Sequence, residues 1–71
     1  MNADSRATQT RKPRLKLTGA NGNSYNLLGL AHRAAVKAKW PYEQWVMVRT
    51  EAMSGNYDHL LQTLMEHFDV R

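Results

Sequence analysis

The feature that most constrains the fold is an apolar pattern near the C-terminus, within residues 54–70. The positions i, i+1, i+4, i+5 and i+8 of this pattern hold Leu60, Leu61, Leu64, Met65 and Phe68. On an α-helix these positions form one continuous apolar face, whereas a strand would show simple alternation. Gly55 is suited to ending a preceding helix, and Asp58 to capping the new one. The pattern therefore predicts a helix that packs against another part of the chain.

Length and composition restrict the class of protein. A chain of 71 residues has room for one domain, which buries only about 60% of the surface of its unfolded form. The absence of cysteine removes a disulfide framework and any sign of secretion, and three histidines alone disfavour a structural zinc site. No apolar run approaches the ~20 residues of a membrane span, and no signal peptide is apparent. We expect a soluble, cytoplasmic protein without membrane contact.

The formal net charge of +4 is unevenly distributed along the sequence. Residues 17–71 carry as many acidic as basic side chains, whereas residues 1–16 carry one acid, Asp4, and five cations. These five cations are Arg6, Arg11, Lys12, Arg14 and Lys16. Residues 1–12 contain too little apolar surface to offset the entropy of ordering. The sequence predicts a disordered basic arm at residues 1–12, followed by a single small domain at residues 13–71.

The remaining patterns define the order of elements. Alternation over residues 14–18 predicts a strand with Leu15 and Leu17 inward, and the Asn-Gly pair at residues 21–22 is typical of a turn with positive φ. Helical spacing follows over residues 24–38. Trp40 and Pro41 interrupt it, and a second helix is expected over residues 41–53. Its expected inward residues are Trp45, Val48 and Ala52, with Val46 and Met53 as further candidates.

The third helix is expected to end near His67, after which residues 68–71 alternate again. This alternation predicts a short strand with Phe68 and Val70 inward, and residues 15–18 are its obvious partner. The sequence therefore predicts a mostly helical α+β fold in the order β-α-α-α-β. In that fold a two-stranded sheet joins the N-terminal and C-terminal strands.

Two sequence segments resemble a known family. The first segment comprises LTG at residues 17–19 and GN at residues 22–23. The second is SGNYDHLLQT at residues 54–63. They resemble small uncharacterised proteins encoded by bacteriophages, prophages and plasmids, and the resemblance runs from about residue 15 to the end. Asn21 and Asn56 stand where the family usually has acidic residues, so no role of those carboxylates is carried over. The resemblance implies a mobile-element accessory protein in the bacterial cytoplasm.

The candidate chemical residues do not form a catalytic pattern. Asp58 and His59, with His67, would suit acid–base catalysis or metal binding, but the two histidines lie about 12 Å apart along a helix. His32 would join them only through a tertiary contact. The glycines near the first helix match no phosphate-binding fingerprint. We expect no enzymatic activity, no cofactor and no metal.

Two groups of residues are candidates for partner binding. The aromatic residues Trp40, Tyr42 and Trp45 are numerous for so small a core, and the cations Lys37, Lys39 and Arg49 lie nearby in sequence. One or two exposed aromatic rings there would anchor a protein or stack on single-stranded nucleic acid. The alternative places Trp45 in the core with Trp40 covering its edge.

The second group is Tyr57 with Asp58, His59 and Gln62, which would form a recognition surface at the start of the third helix. The alternative is that Tyr57 folds over the helix start and its hydroxyl bonds to a neighbouring backbone group. The predicted partner-binding residues are Trp40, Tyr42, Lys37, Lys39, Arg49, Tyr57 and His59.

These observations favour a non-enzymatic protein that binds a host protein or complex and inhibits a host defence, in the manner of anti-CRISPR proteins. The alternative is a nucleic-acid-binding accessory or regulatory protein that uses Arg6, Arg11, Lys12, Arg14 and Lys16, with salt-sensitive affinity. A small virion subunit is a third class. So small a core is compatible with a monomer or a homodimer.

Overall fold

Three helices and two short strands make up residues 12–71, the part of the chain that this computed structural model describes. The elements are β1 (Arg14–Leu15), α1 (Ser24–Lys37), α2 (Tyr42–Ala52), α3 (Tyr57–His67) and β2 (Asp69–Val70). The predicted β-α-α-α-β order and the mostly helical α+β class are confirmed. The predicted disordered arm lies outside the described residues, apart from Lys12.

The two strands pair in parallel at the ends of the described chain. Arg14 lies opposite Asp69, and Leu15 lies opposite Val70. The ladder extends beyond the strands, since the Asp69 N–H donates to the Pro13 carbonyl at 2.8 Å and the Leu17 N–H donates to the Arg71 carbonyl at 2.7 Å. A parallel pair needs a long crossover connection, and the three helices supply it.

The core lies between the sheet and the helices. Its buried apolar residues are Leu15, Leu27, Leu28, Ala31, Ala35, Trp45, Val48, Ala52, Leu60, Leu64 and Phe68. Three of them, Trp45, Val48 and Ala52, are the residues expected to face inward from the second helix. The further candidate Val46 is half-buried, and Met53 is exposed. The apolar stripe on α3 is wider than the core, which leaves Met65 exposed.

Two local expectations need correction. The cap of α3 is Asn56, whose side chain accepts from the His59 N–H at 2.9 Å, whereas Asp58 lies exposed in the first turn. Asn56 fits this role because its backbone is extended, which aims the side-chain oxygen at the orphan N–H groups. The glycine with positive φ is Gly19, at 78°, and not Gly22 of the Asn-Gly pair.

Helix α1 is capped at its N-terminus by the side chain of Asn23. The Asn23 side chain accepts from the Tyr25 N–H at 2.9 Å, and the Asn23 N–H in turn donates to the Asn21 side chain at 2.8 Å. These two bonds order the connection from Gly19 to α1, where the backbone lies at the surface and would otherwise bond to water.

Replacing Phe68 by alanine tests the dependence of the fold on its C-terminal end. Phe68 is 1% exposed and stacks on Trp40 with ring centroids 4.9 Å apart. We expect Phe68→Ala to lower the free energy of unfolding by about 3–5 kcal/mol, which is a large share of the stability of a small domain. Urea unfolding followed by circular dichroism measures the change. The matched control Met65→Ala, at an exposed position on the same helix face, should cost far less, and equal losses would contradict this account of the core.

Candidate partner-binding face

Two grooves open at opposite ends of the seam between α1 and α2. One, the Tyr42 groove, has a volume of about 170 Å³ and lies where α1 ends and α2 begins. The other, the Tyr25 groove, has a volume of about 230 Å³ and lies where α1 begins and α2 ends. The two helices therefore run antiparallel, and about ten residues of α2 separate the grooves, which corresponds to about 15 Å.

The Tyr42 groove is built on two stacked aromatic pairs. Its lining residues are His32, Ala35, Val36, Trp40, Tyr42 and Trp45. The His32 ring stacks on buried Trp45 with centroids 4.9 Å apart and planes 8° apart. Trp40 covers the core edge by stacking on Phe68. Trp45 therefore lies in the core and Trp40 covers its edge, as in the alternative given above. Tyr42 is the exposed aromatic residue of the predicted group.

The Tyr25 groove has an apolar floor and exposed walls. Leu28, Ala52 and Leu60 are buried beneath it, whereas the side chains at its rim are exposed. The rim residues are Tyr25, Met53 and Tyr57. A groove of this kind accepts an apolar side chain without rearrangement of the core.

Helical periodicity joins the two grooves into one surface, which we call the α1–α2 face. Along α1 its members are Tyr25, Gly29, His32 and Val36, which are spaced by three or four residues. Along α2 its members are Tyr42, Val46, Arg49 and Met53, at the same spacing. Four of these side chains are large, apolar and exposed: Tyr25 at 77%, Val36 at 63%, Tyr42 at 68% and Met53 at 52%. Two exposed apolar groups on one side of a small protein, here separated by Gly29 and Arg49, are candidates for an interaction site.

The charges near the Tyr42 end of the α1–α2 face are mainly positive. Arg49 follows Trp45 by one helical turn, which places it midway along the seam. Arg33 and Lys37 lie beside Val36 on α1, and all three cations are exposed. Glu43 follows Tyr42 in the first turn of α2, and two further acids, Glu51 and Asp58, are next in sequence to Ala52 and Tyr57 of the Tyr25 groove. No acidic residue occurs between Lys12 and Tyr42.

Lys39 occupies a backbone conformation that favours glycine. Its φ is 65°, and it follows the Ala38 cap at the end of α1. The Lys39 N–H donates to the Val36 carbonyl and the Trp40 N–H donates to the Ala35 carbonyl, both at 3.0 Å, which is the Schellman pattern of a helix C-terminus. Most helices that end in this way have glycine at the left-handed position, because a Cβ there is strained. A lysine at this position has a conformational cost that its charge must offset elsewhere.

Tyr57 joins the two segments that carry the family resemblance. Its hydroxyl donates to the Gly22 carbonyl at 2.6 Å, across 35 positions of sequence. The hydroxyl therefore bonds to backbone, as in the alternative given for Tyr57. The bonded carbonyl, however, belongs to the distant loop before α1 and not to the neighbouring backbone. The side chain remains 43% exposed at the rim of the Tyr25 groove.

His59 holds the corner between α2 and α3 together. Its Nε2 atom lies 3.0 Å from the Glu51 backbone oxygen and 2.9 Å from Glu51 Oε2. A Cβ added to Gly55 would lie 2.9 Å from the His59 Cβ and Cγ atoms, so only glycine leaves room for the ring. The Ser54 hydroxyl closes the corner by donating to the Glu51 carbonyl at 2.7 Å. These contacts occupy His59 within the domain and turn it away from the α1–α2 face.

The predicted site residues therefore divide into two groups. Trp40, Tyr42, Lys37, Lys39 and Arg49 lie on or beside the α1–α2 face, and Tyr57 borders one end of it, whereas His59 serves the α2–α3 corner. The sequence analysis missed Tyr25, Val36 and Met53. The seven-residue spacing from Tyr25 to His32, continued four residues later by Val36, would have predicted that these residues share one face of α1.

The residues predicted to contact nucleic acid are described only in part. Arg6 and Arg11 lie outside the described residues. Arg14 and Lys16 are exposed on either side of buried Leu15. The Lys12 ammonium donates to the Met65 carbonyl at 3.1 Å, near the C-terminal end of α3, where a cation is favoured by the helix dipole.

Two kinds of feature, a metal-binding group and a membrane-spanning helix, are absent from residues 12–71. No three histidine or acidic side chains of this segment are grouped so that they could hold a metal ion. None of its helices combines the length and apolar character needed to cross a membrane. Comparison of the chain with protein-family models, with curated proteins and with solved structures finds no match.

Replacing Lys39 by glycine tests the strain at the end of α1. We expect Lys39→Gly to raise the free energy of unfolding by about 1 kcal/mol, because glycine adopts this φ without a Cβ clash. Chemical unfolding measures the difference. Lys37→Gly is the matched control, since it removes the same charge from the last helical residue, and it should lower the stability by up to about 1 kcal/mol. A loss of stability in both variants would contradict the assignment of strain to Lys39.

Proposed function

We propose that this protein is a non-enzymatic accessory protein of a phage or another mobile element, and that it acts by binding a protein or complex of its bacterial host. The observation that carries the proposal is the exposed apolar α1–α2 face, with Tyr42 and Val36 at one groove and Tyr25 and Met53 at the other. The family resemblance supports the mobile-element context.

The mode of action that suits this face is steric occupation of a surface on the host protein. Each groove is smaller than small-molecule sites, which commonly have volumes of about 300–1,000 Å³. Aromatic side chains beside pockets at the centre of an interface commonly supply most of the binding energy. Inhibition of a host defence by such occupation is the concrete form of the proposal.

Replacing Tyr42 by alanine tests the proposed binding. Tyr42 is 68% exposed, so its loss should leave the helical circular dichroism and the unfolding midpoint nearly unchanged. We expect Tyr42→Ala to weaken capture of the host partner by about 2 kcal/mol or more. Affinity purification from bacterial lysate with quantitative mass spectrometry measures capture, at low and at high salt and after nuclease treatment.

Met47→Ala is the matched control for Tyr42→Ala. Met47 is 72% exposed and lies on the opposite flank of α2, in a groove shared with Glu51 and His67. Its replacement should leave capture intact. A folded Tyr42→Ala variant that still captures the same partners as the parent protein would remove the basis of the proposal.

The second candidate function is nucleic-acid binding led by the basic N-terminal segment. The alternation that buries Leu15 directs Arg14 and Lys16 to the exposed side of β1, which continues the basic character of residues 1–12 into the domain. Such a series of cations would contact successive phosphates, and its affinity would fall steeply with salt.

A truncation separates the two candidates. Deletion of residues 1–11 leaves the Lys12 contact with Met65 in place, so the domain should remain folded. If the protein binds nucleic acid, this deletion combined with Arg14→Ser and Lys16→Ser abolishes a salt-sensitive gel shift on a generic oligonucleotide. If it binds a host protein, the same variant retains capture of that partner. Gel shift and affinity capture on one preparation give both readouts.

A further inference from the structure

We infer that the α1–α2 face accepts an acidic amphipathic helix of the partner protein, with apolar side chains that enter both grooves. This inference rests on the proposed function and specifies the chemistry of the partner. Three independent observations carry it: the sign of the charges around the face, the separation of the two grooves, and the lysine held at a left-handed backbone position.

Charge complementarity identifies an acidic partner. Arg49 lies midway between the grooves by helical spacing, and the exposed cations Arg33, Lys37 and Lys39 are next in sequence to His32, Val36 and Trp40, which line the Tyr42 groove. Glu43 is the acidic side chain adjoining this end of the face, so the cations outnumber it. Carboxylates on a partner would pair with these cations at the rim, where they guide orientation and raise the association rate.

The geometry of the seam fits a helix. The grooves lie about 15 Å apart, which matches the rise between positions i and i+11 of an α-helix, two positions that share one helix face. Midway along the seam, Gly29 has no atom within 4 Å of the place that a Cβ would occupy. This open space allows the backbone of a partner helix to approach α1, as in other helix-in-groove complexes.

The aromatic residues of the face favour a protein partner over single-stranded nucleic acid. Stacking of bases needs free aromatic planes, and the tryptophans do not supply them, because Trp45 is already stacked on His32 and Trp40 on Phe68. The most exposed rings that remain are Tyr25 and Tyr42, one at each groove. The walls that remain exposed are contributed by tyrosine, valine and methionine side chains, which suit the apolar anchors of a helix.

Lys39 provides the third observation. Glycine would relieve the strain at its φ of 65°, and the lysine adds a cation next in sequence to Trp40 of the Tyr42 groove. Residues that break a local folding rule commonly have a functional reason. A contact with a partner carboxylate gives this lysine such a reason.

Peptide selection on the full-length protein tests the inference directly, whichever host protein is the natural partner. The probe is a phage-displayed library of random peptides of about 18 residues, which is long enough for an i to i+11 spacing with flanking turns. We expect the selected peptides to be acidic, to carry apolar residues at helical spacing, and to become helical on binding. Arg49→Gln and Lys39→Gly should each weaken their binding by about fivefold or more.

The matched control is Arg71→Gln, which lowers the net charge by the same amount at the far end of the sheet, where Arg71 pairs with Asp69. It should leave peptide binding unchanged. The inference is overturned if the selected peptides show no acidic bias, if they bind equally well to the Tyr42→Ala variant, or if Arg71→Gln weakens them as much as Arg49→Gln. Failure to select any peptide also overturns it, whether or not a single-stranded oligonucleotide binds the same protein.

These outcomes are separable from failure of the proposed function. If Tyr42→Ala abolishes capture of the host partner but the selected peptides are neutral, the binding function stands and the acidic helix is wrong. If Tyr42→Ala leaves capture intact, the proposed function itself fails.

Discussion

The burial of one apolar stripe on α3 is the constraint on which the rest of the structure depends. Leu60, Leu64 and Phe68 are almost inaccessible to solvent, and they draw α3 against α2 and against the strand at the start of the domain. Phe68 also fixes Trp40, which begins the turn into α2. Because α3 packs against α2 in this way, the seam between α1 and α2 is left at the surface.

The segments that carry the family resemblance have a structural explanation. Asn56 caps α3, Gly55 leaves room for His59, and His59 bonds back to Glu51 across the α2–α3 corner. Tyr57 reaches the loop before α1 and so connects the two segments directly. The amides at positions 21 and 56 fit this role, since both accept hydrogen bonds from backbone N–H groups. These segments therefore contribute contacts that hold the domain together, and Tyr57 also borders the Tyr25 groove.

The α1–α2 face is where local folding rules are broken. Four large apolar side chains remain exposed along it, and a lysine occupies the left-handed position that ends α1. Elsewhere in residues 12–71 the polar groups follow ordinary rules, and every buried side-chain nitrogen and oxygen has a hydrogen-bond partner. Large apolar side chains are also exposed off this face, at Met47 and Met65.

The sequence by itself determined the order of the elements and the inward residues Trp45, Val48 and Ala52, because helical and strand periodicity act within one segment. It did not determine the parallel pairing of β1 with β2, the contact of Tyr57 with Gly22, or the joining of Tyr25 and Tyr42 into one face. Each of these depends on how separate segments pack, and the spacing within a segment is the same for many packings. The tertiary structure decided them by burying α3 on one side and leaving α1 and α2 open on the other.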